Sequence, residues 1–258
     1  MIHDFNPIAI NWNGVVLSWY WLSYIAGFWW VVFLGLRLLP LSPSVSRRDF
    51  LFFMQWGLPL MLIGGRAFYV LFYHPSFFLE NPSFVHQFWR GGMSFHGALT
   101  ALVLWSWWCA RKISSPFTLY TDLLSLCLPL PLFLGRLANF INGELYGRAT
   151  ELPWAMVFPL DPEALTRHPS QLYQALTEGL LLGIFLWIKR AQLKTPGNLT
   201  LLFGVGYGSL RFLTEFTREP DPQLGLIGPF SLGQYLCLAM IGITIIAVRQ
   251  FGRRKIKT

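Results

Sequence analysis

The chain has 258 residues, of which 54% are hydrophobic and only 12% charged, with a net charge of +8. A soluble domain carries about 25% charged residues, so the composition excludes one and points to a membrane protein. The length suits a single polytopic membrane domain over residues 1–258. The mean hydropathy of +0.47 and the 12 Trp agree, because Trp and Tyr favour the membrane–water interface.

A bilayer-crossing helix needs roughly 20 mostly apolar residues, and Pro, Gly and polar clusters divide the chain into seven such stretches. The leading MIHDFNP lacks the basic region and short apolar core of a cleavable signal. The first span, Val15–Leu38, is therefore expected to drive insertion. Its outer edge carries Ser18-Trp19-Tyr20. The second, Phe50–Tyr73, contains Gly64-Gly65-Arg66. The third, Met93–Ala110, follows Gly91-Gly92 and opens with Ser94, His96 and Gly97. A histidine there is either a hydrogen-bonded packing residue or a proton carrier. The fourth, Phe117–Ala138, contains Pro129 and Pro131, which predict a kink or a break. It runs into GRLANFINGELYGR, Gly135–Arg148, where hydrocarbon gives way to two arginines, two asparagines and a glutamate. A short outer loop spans 147–168. The fifth stretch is Gln171–Ile188. The sixth, Leu199–Phe216, sets Gly204, Gly206 and Gly208 before Tyr207, Arg211 and Glu215 or among them. The seventh is Leu232–Val248. The chain shows no internal repeat.

The charge distribution orients this array. Arg37, Arg47, Arg48, Arg111, Lys112, Lys189, Arg190 and Lys194 lie in one set of loops. The tail adds Arg249, Arg253, Arg254, Lys255 and Lys257, making thirteen of the 20 basic residues. Positive loops stay in the cytoplasm. The expected protein is thus an all-α bundle of about seven transmembrane helices, N-terminus outside and C-terminus cytoplasmic. The basic excess serves orientation, and no nucleic-acid partner is expected.

Arg66, Arg136 and Arg211 remain inside spans, where ionisable groups are costly and normally mark a site. Either they are paired or they await an anion. Glu215 lies one helical turn after Arg211, and Asp122 and Glu144 are further candidate partners. The planar guanidinium fork equally suits phosphate. The neighbouring glycines fit tight helix packing or close approach of a ligand. Together these residues imply an outward-facing pocket for an anionic lipid head, walled by Asn139, Asn142 and Glu144. The three cysteines, Cys109, Cys127 and Cys237, sit in apolar stretches without metal-ligand spacing. No motif asks for a cofactor.

On these residues the chain resembles the prolipoprotein diacylglyceryl transferases. Gly135, Arg136, Asn139, Phe140, Asn142, Glu144 and Gly147 follow that family's signature in order. GGRAFYVLFY, GGMSFHGAL, RHPSQLYQAL and YGSLRFLTEFTREPD are also similar to family segments and come in the family's order. Ala98, Ala138 and Ser18 stand where many or some relatives have Gly, Gly and His. The resemblance implies a multi-pass enzyme of the bacterial inner membrane, its active site toward the periplasm. Its reaction would move the sn-1,2-diacylglyceryl group of phosphatidylglycerol to the lipobox cysteine of a prolipoprotein signal peptide. A thioether forms, glycerol phosphate leaves, and a lipoprotein signal peptidase takes the product. Arg136 and Arg211 would then stabilise the leaving phosphate, and His96 would take the thiol proton or hold lipid. Tyr20, Asn139, Glu144 and Tyr207 would orient the head group, with Arg66, Asn142, Gly147 and Glu215 completing the binding set. Two rivals are a transporter of an anionic lipid or phosphate compound and an intramembrane protease built on Ser94 and His96. Residues two apart on a helix do not face each other, which disfavours the protease.

Overall fold

The computed structural model describes residues 1–13, 15–42, 45–72, 75–87, 93–114, 117–219 and 226–252. It opens with an antiparallel hairpin, β1 (Ile8–Trp12) and β2 (Val15–Ser18). The first apolar stretch is therefore shorter as a helix than its hydropathy suggests. Val15–Ser18 pairs as a strand, in keeping with its β-branched content. Ser18 then accepts the Trp21 N–H at 3.4 Å and starts α1 (Trp19–Leu38).

Next come α2 (Arg47–Phe72), a short α3 (Pro75–Glu80) and α4 (Phe95–Lys112). α2 packs on α4. A Cβ at Gly64 would stand 2.5 Å from that of Ala101, so packing accounts for this glycine. α5 (Thr118–Cys127) and α6 (Pro129–Ile141) meet at 49°. Pro129 lacks an N–H and its ring opposes the carbonyl one turn back, so the expected break falls where the sequence sets it. α7 (Ser170–Gln174), a π-helical segment Ala175–Leu181 and α8 (Leu182–Ile188) run on as one rod. α9 (Asn198–Thr214) and α10 (Leu232–Ala247) pack together. Two further hairpins are minimal: β3 (Met156–Val157) with β4 (Thr166–Arg167), and β5 (Leu226–Ile227) with β6 (Phe230–Ser231).

Helix thus lies at each of the seven predicted stretches. Among the described residues, four helices are long and apolar enough to cross a membrane: Trp19–Leu41, Arg47–Phe72, Ser170–Ile188 and Leu232–Gln250. The bent α5–α6 pair makes a fifth. Only 17% of the most apolar window of Leu232–Gln250 is buried inside the protein. A helix that is apolar on its unburied face has hydrocarbon as its solvent.

The apolar core gathers at one end of the bundle. It joins Leu34 and Leu38 of α1, Phe50 and Phe53 of α2, Tyr120 and Leu123 of α5, and Leu199 of α9. These are the helix ends that adjoin the basic loops. Asp122 belongs to this end and corrects an expectation. Among the described residues it pairs with no arginine. Its carboxylate accepts the Gly197 N–H at 2.6 Å and the Thr200 N–H at 2.7 Å, capping the start of α9. The opposite ends of α1, α6 and α9 carry the polar residues.

Candidate functional site

The site is assembled where the bend puts α6 against the π-helical segment. α6 carries Arg136 and Asn139, the π segment carries Glu178, and α9 carries Tyr207 and Arg211. Glu178 has no exposed side-chain surface. A carboxylate buried so completely persists as an ion only beside cations, and two stand there. Arg136 Nη2 is 3.5 Å from Oε2, and Arg211 Nη1 is 3.6 Å from Oε1. The Thr214 hydroxyl donates to Oε1 at 3.0 Å. Arg211 also meets Glu215 at 2.6 Å, the pair one helical turn apart that the sequence suggests. Arg218 lies 3.8 Å from the same Glu215 oxygen, and the Ser231 hydroxyl donates to the other at 3.2 Å. Buried Tyr207 feels the charges of Glu178, Arg136 and Arg211.

This pairing is loose. Arg211 Nη1 is buried without a hydrogen bond, as is Glu178 Oε2. Arg136 makes its ion pair but no hydrogen bond among the described residues. An unmade hydrogen bond on a buried polar group costs about 1–3 kcal/mol. Two guanidinia that share the Glu178 carboxylate and keep unused donors are suited to a further anion.

The second wall comes from the loop after α6. Asn139 and Asn142 both donate to Glu144 Oε1, at 2.9 and 3.2 Å. The loop is held from α7: Gln171 donates to the Glu144 carbonyl at 2.6 Å and Ser170 to the Leu145 carbonyl at 2.9 Å. Leu145 sits at φ 56°, a left-handed conformation that costs a non-glycine residue about 1 kcal/mol or more. Tyr20, on the first turn of α1, hydrogen-bonds Tyr24 at 3.0 Å and lies within electrostatic reach of Glu144 and Arg136.

Gly147 has a packing role. Its N–H donates to the His168 carbonyl at 2.8 Å, and a Cβ there would collide with His168 and the Thr217 carbonyl. Segments 147–149, 166–168 and 217–219 are thereby knitted into a cover beside the site. Arg167 locks it, binding Asp161 at 2.6 and 2.9 Å and Glu219 at 3.1 Å. That guanidinium holds the Asp161 carboxyl below its ordinary range, while burial pushes the His168 imidazole down.

Arg66 is used elsewhere. It is buried and donates to the carbonyls of Phe84 and Val85 at 2.6 and 2.9 Å, with its guanidinium 5.1 Å from the Phe78 ring. Its described contacts do not join the Glu178 network. His96 lies on the first turn of α4, and its side chain is outside the described residues.

The structure therefore unites Tyr20, Arg136, Asn139, Asn142, Glu144, Tyr207, Arg211 and Glu215. Glu178 is not among the residues singled out from the sequence, although ALTEGLLLGIF carries the signal. The rule that marks intramembrane arginines marks an intramembrane glutamate equally. Ser170 and Gln171 carry no such signal, since polar residues at a helix start are ordinary caps.

A family model described as prolipoprotein diacylglyceryl transferase matches residues 7–249. A phosphatidylglycerol–prolipoprotein diacylglyceryl transferase of Polynucleobacter asymbioticus is 42% identical, covering 97% of this chain and 98% of its own length. A protein of the same name from Idiomarina loihiensis is 45% identical over 93% of this chain and 91% of its own. The one from Azotobacter vinelandii is 43% identical over 92% and 90%.

Proposed function

From the membership of this chain in the prolipoprotein diacylglyceryl transferase family, we infer that it transfers a diacylglyceryl group from phosphatidylglycerol to a prolipoprotein. It is a transferase of bacterial membranes. Its finer chemistry follows from what such a transfer requires. A cysteine thiol of the prolipoprotein lipobox attacks the glyceryl carbon. The sulfur–carbon bond forms as the carbon–oxygen bond to phosphate breaks. Glycerol phosphate carries away the electron pair, and His96 takes the thiol proton. The thiolate is the competent nucleophile, so a base near the thiol speeds the step.

Negative charge grows on the phosphate oxygens as the bond breaks. The observation that carries this reading is the convergence of Arg136 and Arg211 on Glu178 with guanidinium donors unused. Donors already aimed in a dry site stabilise such charge without reorganisation. Tyr20, Tyr207 and the Asn139–Glu144–Asn142 group orient the head group. The basic loops support seven crossings in the bacterial inner membrane, with the site toward the periplasm. A lipoprotein signal peptidase would use the product.

The test uses purified protein in detergent, phosphatidylglycerol and a peptide bearing a lipobox cysteine. The peptide should gain the mass of one diacylglyceryl group as glycerol phosphate appears. Arg136→Ala should lower turnover about 100-fold or more while the protein stays folded. Unmodified peptide with intact lipid, bound or moved across a vesicle wall, would favour a transporter. Full turnover by Arg136→Ala would remove the leaving-group role.

A further inference from the structure

We propose that Glu178 is a positioning residue that holds the Arg136 and Arg211 guanidinia side by side and lowers the net charge around them by one unit. The proposal rests on the transferase reading of the site and extends it to a residue with no part in the bond changes.

The geometry is that of a bridge. Each carboxylate oxygen faces a different arginine, Oε2 toward Arg136 at 3.5 Å and Oε1 toward Arg211 at 3.6 Å. The bridge cannot drift. The side chain is wholly buried, and Thr214 donates to Oε1 at 3.0 Å. It also rises from the π-helical turn Ala175–Leu181, and such turns recur at functional sites. The neighbouring Gly179 brings that turn onto the α6 backbone, since a Cβ there would stand 2.8 Å from Phe133 Cα.

Arg136 is the less enclosed partner. Its side chain keeps 19% exposure against 11% for Arg211. Arg211 is held by Glu215 as well. Without a negative charge between them the two guanidinia repel, and Arg136, the more exposed and less tethered of the two, is the one expected to move. An aligned pair is what the transition state needs, because charge stabilisation during bond breaking depends on placement. Simple attraction of an anion is more tolerant of position and follows the net charge.

These two dependences separate under Glu178→Gln, which keeps the shape and removes the charge. Turnover should fall about 10- to 100-fold. Binding of glycerol phosphate, doubly charged near neutral pH since its second pKa is about 6, should tighten by about tenfold through the added unit of charge. A site that had merely lost its packing would weaken in both. Glycerol phosphate binding is measured by titration calorimetry on the full-length protein in detergent, with thermal unfolding as the check on folding. Glu178→Asp, which restores the charge, should return the binding constant toward wild type. The proposal is overturned if Glu178→Gln leaves turnover unchanged, or if it weakens both turnover and glycerol phosphate binding. Absence of transfer by the wild-type protein would count against the transferase reading instead, and the binding comparison alone would then decide the role of Glu178.

Discussion

Arg136, Glu178 and Arg211 are costly residues in hydrocarbon, and each is tolerable through the others. Breaking a buried ion pair by removing one partner costs about 3–5 kcal/mol, because a charge is left uncompensated. The Arg211–Glu215 pair at 2.6 Å was legible from spacing alone. The Glu178 bridge was not, since its partners lie 42 and 33 positions away in the chain, on α6 and α9. Among the proposed site residues, His96 is tested by pH. If its imidazole accepts the thiol proton, wild-type turnover should rise with pH through the range where imidazole loses its proton, about 6.5 for an unperturbed ring. In His96→Gln that rise should vanish and turnover should fall about 100-fold. A variant that keeps the wild-type pH profile would limit His96 to lipid binding.

At the scale of elements, the site depends on one break and one wide turn. Pro129 bends α5–α6 by 49°, and the π-helical turn meets α6 at Gly179. The break was legible, because proline removes a donor wherever it falls. The π turn was not, because ALTEGLL has the composition of any apolar helix. Gly179→Val should force that turn off α6, since even a Cβ would stand 2.6 Å from Phe133 Cβ. Overpacking of this kind costs about 1–3 kcal/mol, visible as a lower unfolding temperature in detergent. Gly242→Ala on α10 is the control. Nothing lies within 4 Å of a Cβ there, so its gain in helix propensity should leave stability equal or up by about 1 kcal/mol. Equal effects of the two variants would mean that α6 and the π turn do not depend on that contact.

At the scale of the whole molecule, the number of crossing helices is a testable quantity. Among the described residues four or five qualify by length and apolarity, whereas the charge pattern asks for seven with the tail in the cytoplasm. α4 and α9 make up the difference, and α4 is the one to test, because Ser83 and Ser114 flank it and both are exposed. The native cysteines are buried, so single introduced cysteines report cleanly. With a membrane-impermeant maleimide, Ser83→Cys should be labelled on intact spheroplasts. Ser114→Cys and Ala191→Cys should be labelled only after permeabilisation. Labelling of Ser83→Cys and Ser114→Cys from the same side would remove α4 from the count of spans.

Taken alone, the sequence determined the helical membrane class, the places of the helices and most of the polar cluster. Those properties depend on local composition: apolar runs exclude water, prolines break helices, and an arginine in hydrocarbon stands out wherever it is read. Only the tertiary structure decided which charges meet. Asp122 turned to cap α9, Arg66 to bind loop carbonyls, Gly147 to let three segments touch, and Glu178 to bridge two arginines. Each of these is a contact between residues distant in the chain, and a charge buried in hydrocarbon takes whichever partner the packed helices bring within about 4 Å.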